Sequence, residues 1–82
     1  MPERLARTEK QLGAILRQER KDQGLTQGTL GNRAGLRQAT VSKMEDGSPA
    51  LQLQTLMAAL SALNLEMVIR PRTKAPDFED IF

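Results

Sequence analysis

Arg37, Gln38, Ala39, Thr40, Ser42 and Lys43 fall between positions 37 and 43. All are small, polar or basic, and none is aromatic. A glutamine amide carries a donor and an acceptor side by side, a pair that fits N7 and N6 of adenine. An arginine fork fits O6 and N7 of guanine, or a phosphate. Ala39 and the Thr40 methyl suit a thymine methyl, and Ser42 and Lys43 suit a base edge and a phosphate. On one face of a helix, such a set can read base-pair edges in a DNA major groove. Which of them meet bases and which meet backbone does not follow from the sequence.

Reaction chemistry is not suggested. The chain has neither Cys nor His, which removes disulfides, thiolate metal sites and the commonest general base. It also has no phosphate-binding loop and no clustered carboxylates in an identifiable pocket. No enzyme activity, catalytic residue, metal ligand or cofactor is expected.

Two short helices must hold the six side chains. Val41 and Met44, three apart, share one face of a helix that begins at Arg37 or Gln38 and ends near Asp46. Leu30 and Ala34, one turn apart, mark a preceding helix that Thr26 caps. Gly35 interrupts between the two, where a left-handed turn residue is needed. Gly31, on the inner face, lets another helix come close. The plain alternative is a helical hairpin used only as core.

The flanks extend the pattern. Thr8 and Gln11 have capping-box spacing, so a first helix starts near Glu9 with Leu12, Ile15 and Leu16 as its apolar stripe. Gly24 caps its end, and Leu25 tucks onto the core. Gly47 to Ala50 read as a turn. Leu53, Leu56, Met57, Leu60 and Leu63 mark a helix over about Gln52 to Leu63, with Asn64 as a left-handed cap. These residues serve core and dimer contact. Residues 65–70 then alternate and are rich in β-branched and apolar types until Pro71, as a strand does. A lone strand has no partner in a helical chain. Pairing with the same strand of a second copy is the simplest solution, and Leu65, Met67, Val68 and Ile69 would carry dimerisation. The expected fold is all-α, with four to five helices and a short C-terminal β-strand paired across a dimer. The expected divisions are a flexible lead-in (1–8), a DNA-binding and dimerisation domain (9–70) and a flexible tail (71–82). Arg4 and Arg7 in the lead-in could reach a phosphate or the minor groove.

Residues 26–47, TQGTLGNRAGLRQATVSKMEDG, resemble the helix-turn-helix of the phage-repressor-like regulators, the Cro/C1 (XRE-like) family. Thr26-Gln27 resembles the family's Ser/Thr-Gln opening. Leu30, Gly31, Ala34, Gly35, Leu36, Val41 and Met44 fall at its apolar and small positions. Glu45-Asp46-Gly47 is similar to its Glu-Asn-Gly ending, and Leu12-Gly13, Leu16-Arg17, Arg20 and Gly24-Leu25 resemble its first helix. The resemblance implies that Gln27 touches a phosphate and that Arg20 pairs with Glu45, tying the first helix to the third. A Leu-rich helix and short strand after such a domain resemble the HipB-type antitoxins, over about residues 9–70. That resemblance implies a dimer on a palindromic operator of double-stranded DNA. It also implies repression of the protein's own operon and inhibition of a HipA-like Ser/Thr kinase toxin. A stand-alone XRE-family repressor, or another antitoxin type, is the alternative.

Charge and length agree with this reading. The net charge is +2, from 12 basic and 10 acidic residues, which permits nucleic-acid binding without requiring it. A chain this short buries roughly 60% of its unfolded surface, which favours a dimer or a partner. No apolar run approaches the ~20 residues of a membrane span, and the first ten residues lack the apolar core of a signal peptide. The expected location is the bacterial cytoplasm, at the nucleoid, with no membrane association.

Overall fold

The computed structural model describes residues 3–72. The tail expected over 71–82 lies almost wholly outside the described residues. Four helices follow in order: α1 (Glu9–Asp22), α2 (Gln27–Ala34), α3 (Gln38–Glu45) and α4 (Leu53–Ala62). None is long and apolar enough to cross a membrane.

The helices start and stop where local chemistry requires. Thr8 takes the Gln11 N–H on its hydroxyl at 3.0 Å, and Thr26 takes that of Thr29 at 3.0 Å. The expected capping box at Thr8 closes one residue early, because the Gln11 amide oxygen accepts from the Arg7 N–H at 2.6 Å. All four helices end in one way. The chain turns left-handed at residue 24, 35, 47 or 64, and the next N–H reaches back to a last-turn carbonyl. At the end of α4 that residue is Asn64 (φ 59°), and the Leu65 N–H reaches the Leu60 carbonyl at 2.8 Å.

The core is aliphatic. Leu16, Leu30, Val41, Met44, Leu56, Ala59, Leu60 and Leu63 are buried together, with Leu12, Leu25, Leu36, Leu51, Ala62 and Leu65 packed around them. Each helix contributes an apolar stripe, as the spacing predicts. The stripe of α4 is narrower than expected. Its buried arc runs through Leu56, Ala59, Leu60 and Leu63, while Leu53 and Met57 are exposed. Leu53 stands in the first turn, past the edge of the core, and Met57 is turned to the flank.

Contact between α1 and α3 depends on missing side chains. A Cβ on Gly13 would lie 2.6 Å from both the Met44 and Glu45 carbonyl oxygens, so α3 rests directly on α1. Gly47 (φ +80°) seats the end of α3 on the first turn of α1, where a Cβ would meet the Lys10 Cα at 2.7 Å. Gly31 also gives a close approach, but to the turn rather than to another helix. A Cβ there would meet the Leu36 carbonyl oxygen at 2.5 Å.

The two ends of the described chain lie side by side. Arg4 is not extended as a free arm: its guanidinium pairs with Asp22 at 3.1 Å and with the buried Glu19 at 3.6 Å. Glu3 pairs with Arg70 at 3.2 Å, so the lead-in lies beside residues 65–72 over a cleft that Leu12 and Ile15 also line. Residues 65–72 are neither helix nor strand. Among the described residues, no backbone–backbone hydrogen bond joins 66–72 to the rest of the chain. A strand needs a neighbouring strand, and none is present within the described residues of one copy.

Candidate nucleic-acid interface

The two middle helices set the geometry. The Leu36 N–H donates to the Gly31 carbonyl at 2.7 Å, and Gly35 holds φ 72° between α2 and α3. A left-handed backbone costs a residue with a Cβ about 1–2 kcal/mol, so the turn is tight only because position 35 is glycine. The turn fixes α3 across α2, and Val41 and Met44 then lock its inner face into the core.

The outward face of α3 carries the six side chains singled out from the sequence. Arg37, Gln38, Ala39 and Lys43 are exposed, and Thr40 and Ser42 are half-buried at its edges. Arg37 is the N-cap residue but makes no side-chain capping bond. Between Thr26 and Met44 the chain carries Arg33, Arg37 and Lys43 and no acidic residue. The next acid, Glu45, points inward and is buried. The exposed surface of the α2–turn–α3 unit is therefore cationic and rich in donors, although the whole chain is nearly neutral.

Behind that face lies a buried ion pair. Arg20 from α1 donates through Nε to Glu45 Oε2 at 2.7 Å and through Nη2 to Glu45 Oε1 at 3.1 Å. Its Nη1 reaches the Leu25 carbonyl at 2.8 Å, just past the end of α1. Both side chains are nearly excluded from water, at 9% and 2% relative exposure. A two-pronged pair of this kind fixes orientation as well as charge. It ties α1 to the last residue of α3, and so sets the angle at which α3 leaves the core.

Gln27, the first residue of α2, bridges the pair to the outward face. Its Nε2 donates to Glu45 Oε1 at 3.1 Å, and its Oε1 accepts from Gln38 Nε2 at 3.4 Å. The structure thus brings Arg20, Glu45, Gln27 and Gln38 into one connected line. It does not bring Leu65, Met67, Val68 and Ile69 into any comparable cluster. Leu65 packs on the edge of the core, while Met67, Val68 and Ile69 stay exposed.

Sequence reasoning missed two fastenings. Gln23 Nε2 donates to the Leu63 carbonyl at 2.8 Å, joining the ends of α1 and α4. Glu19 is buried against Arg4. Separations of 40 and 15 residues between a polar group and a distant backbone or arginine leave no periodic trace. Asp22, also held by Arg4, has its carboxyl pKa lowered, first by the Gln18 amide that donates to it at 2.8 Å and then by the arginine.

Two short helices joined by a glycine turn, with the second presenting a polar, cationic face over a locked apolar one, define a helix-turn-helix protein. The chain belongs to the helix-turn-helix domain family, whose model matches residues 11–71. Among solved structures, a complex of a HipB variant with a 20-mer, O2, is similar over 88% of this chain and 100% of that one. Its TM-score is 0.82, at 26% identity. A complex of HipA, HipB, O2 and O3 is similar over 84% of this chain and 97% of that one, with TM-score 0.79 and 28% identity. A complex of HipB with a 20-mer, O4, gives the same values. No curated protein matches the chain.

Proposed function

We propose that this chain is a dimeric, sequence-specific DNA-binding repressor, and that it is the HipB-like antitoxin of a toxin–antitoxin module. One observation carries the DNA reading: α3 buries Val41, Met44 and Glu45 and turns Arg37, Gln38, Ala39, Thr40, Ser42 and Lys43 outward. Those side chains match base edges and phosphates. Gln27 and the first turn of α2 supply a backbone contact beside them. Binding is then salt-dependent through the cations and sequence-dependent through α3.

Two copies would place their α3 helices in successive major grooves of a palindrome, about 34 Å apart. Residues 65–70 would pair across the two-fold axis, and the exposed Met67, Val68 and Ile69 are what that pairing would cover. The antitoxin reading draws on the likeness to HipB, one of whose complexes contains HipA. On that reading the chain represses its own operon and restrains a HipA-like Ser/Thr kinase, in the cytoplasm and at the nucleoid.

Capture of bound molecules with the whole chain as bait, with and without nuclease, tests both levels. A kinase-sized protein retained after nuclease treatment, together with recovery of the chain's own promoter without nuclease, is the expected result. Recovery of DNA alone would leave a stand-alone repressor of this family. Recovery of neither would defeat the reading.

A further inference from the structure

We propose that Glu45, which is turned away from any DNA that α3 would meet, decides which base Gln38 selects. It does so as a positioning residue, through the amide of Gln27. The proposal rests on the reading of α3 as the DNA-reading helix.

A carboxylate only accepts hydrogen bonds, whereas a glutamine amide has one accepting end and one donating end. Glu45 is buried and clamped by both prongs of Arg20. Its Oε1 therefore admits only the donating end of Gln27, whose Nε2 lies 3.1 Å away. The amide is planar, so its Oε1 must face the opposite way, and there it accepts from Gln38 Nε2 at 3.4 Å. Gln38 uses one N–H in that contact. Its other N–H and its Oε1 remain for a base, and that donor–acceptor pair fits adenine N7 and N6.

Reversing the Gln27 amide would reverse the outcome. Nε2 of Gln27 would then face Gln38, whose Oε1 would accept from it. Gln38 would then present its amide with donor and acceptor ends exchanged, and would no longer match the order of adenine N7 and N6. The buried carboxylate excludes this state because two acceptors would then face each other without a proton. A charge tied to α1 thus fixes the donor–acceptor order at the tip of α3.

Selection of preferred duplexes from a randomised library tests this, with the whole chain as wild type, Gln38→Ala, Gln27→Met and Glu45→Gln. The Gln38→Ala profile locates the base pair that Gln38 reads. Gln27→Met keeps the side-chain length, leaves the Arg20–Glu45 pair intact and removes the amide. The Glu45→Gln amide can face Gln27 with either end. At that one base pair, wild type should favour adenine over guanine, and both variants should reduce the ratio by about tenfold, within the range for one bidentate contact. The other positions should keep their preferences and the melting temperature of Gln27→Met should be retained. If Glu45→Gln does not fold, Glu45→Asp decides in its place: it keeps the charge against Arg20 but draws the carboxylate back from Gln27, and the ratio should fall likewise. An unchanged ratio, a wild-type preference for another base, or an equal loss at every position overturns the proposal. A wild-type chain that selects no sequence at all overturns the DNA reading beneath it.

Discussion

The α1–α3 junction and the segment after α4 both place residues against their usual preference, in opposite directions. At the junction, charged Arg20 and Glu45 are buried. After α4, apolar Val68 and Ile69 are exposed, at 69% and 91%. The first conflict is resolved inside the chain. Every prong of the pair meets a partner, from Leu25 on one side to Gln27 on the other. The second is not resolved among the described residues: Met67, Val68 and Ile69 stay exposed, and no backbone–backbone hydrogen bond joins 66–72 to the rest of them. Buried charge with full hydrogen bonding fixes geometry; exposed apolar surface with free backbone groups invites another chain. The contrast separates what one copy builds for itself from what a second copy would supply on the proposed reading.

The largest effect should come from breaking the junction. Glu45→Ala leaves the Arg20 guanidinium buried without its carboxylate, at a cost of roughly 3–5 kcal/mol. That is most of the stability of a small domain, so urea denaturation should find the variant largely unfolded near room temperature. A midpoint close to wild type would mean that the pair is ornamental. Val68→Pro should leave the helices intact and act on the other region alone. Proline removes a backbone donor from any ladder across residues 65–70, so the variant should sediment as a monomer with wild-type helix content. Retention of a dimer would place the interface elsewhere, with exposed Leu53 and Met57 of α4 as the next surface to alter.

A third change sharpens the contrast between scaffold and reading face. Arg37→Ala combined with Gln38→Ala touches neither region, so folding and dimerisation should hold. Preference for the operator over unrelated duplex should fall by roughly tenfold or more, measured by competition at moderate salt. Preference kept in full would move base reading off the start of α3. The smallest effect concerns the lead-in. Asp22 has a folded-state pKa below its ordinary 3.8, so what it contributes is present above that value and lost as pH falls through the lowered one. Asp22→Asn should therefore mimic strong acid at neutral pH and loosen Arg4, leaving it the longer contact with Glu19. Faster tryptic cleavage after Arg4, with little change in melting temperature, is the expected result.

Much of the helical frame was legible because each signal was local. Thr8, Thr26, Gly35 and Asn64 mark ends through their own backbone chemistry, and all four stand at the boundaries they predicted. Periodicity located the stripes but overstated α4, since spacing cannot show where a helix passes the edge of the core and leaves Leu53 outside. The six outward positions of α3 were legible as a set, because Val41 and Met44 fix which side faces in. The line from Glu45 through Gln27 to Gln38 was not. It joins residues 18 and 11 positions apart through amide ends that no spacing rule specifies. The docking of Arg4 was missed for the same reason. The segment over 65–70 is a different case: its alternation speaks for a strand, but a strand exists only against a neighbour, and none stands beside it among the described residues.

Footprinting of the whole chain on its own promoter is the most direct test of the central claim, that two α3 helices read DNA together. The account predicts protection of two matching half-sites, centred about 34 Å apart or a multiple of that on one side of the duplex. Both should appear at the same protein concentration and weaken together as salt is raised. A single protected site, or protection spread without sequence preference, would contradict it.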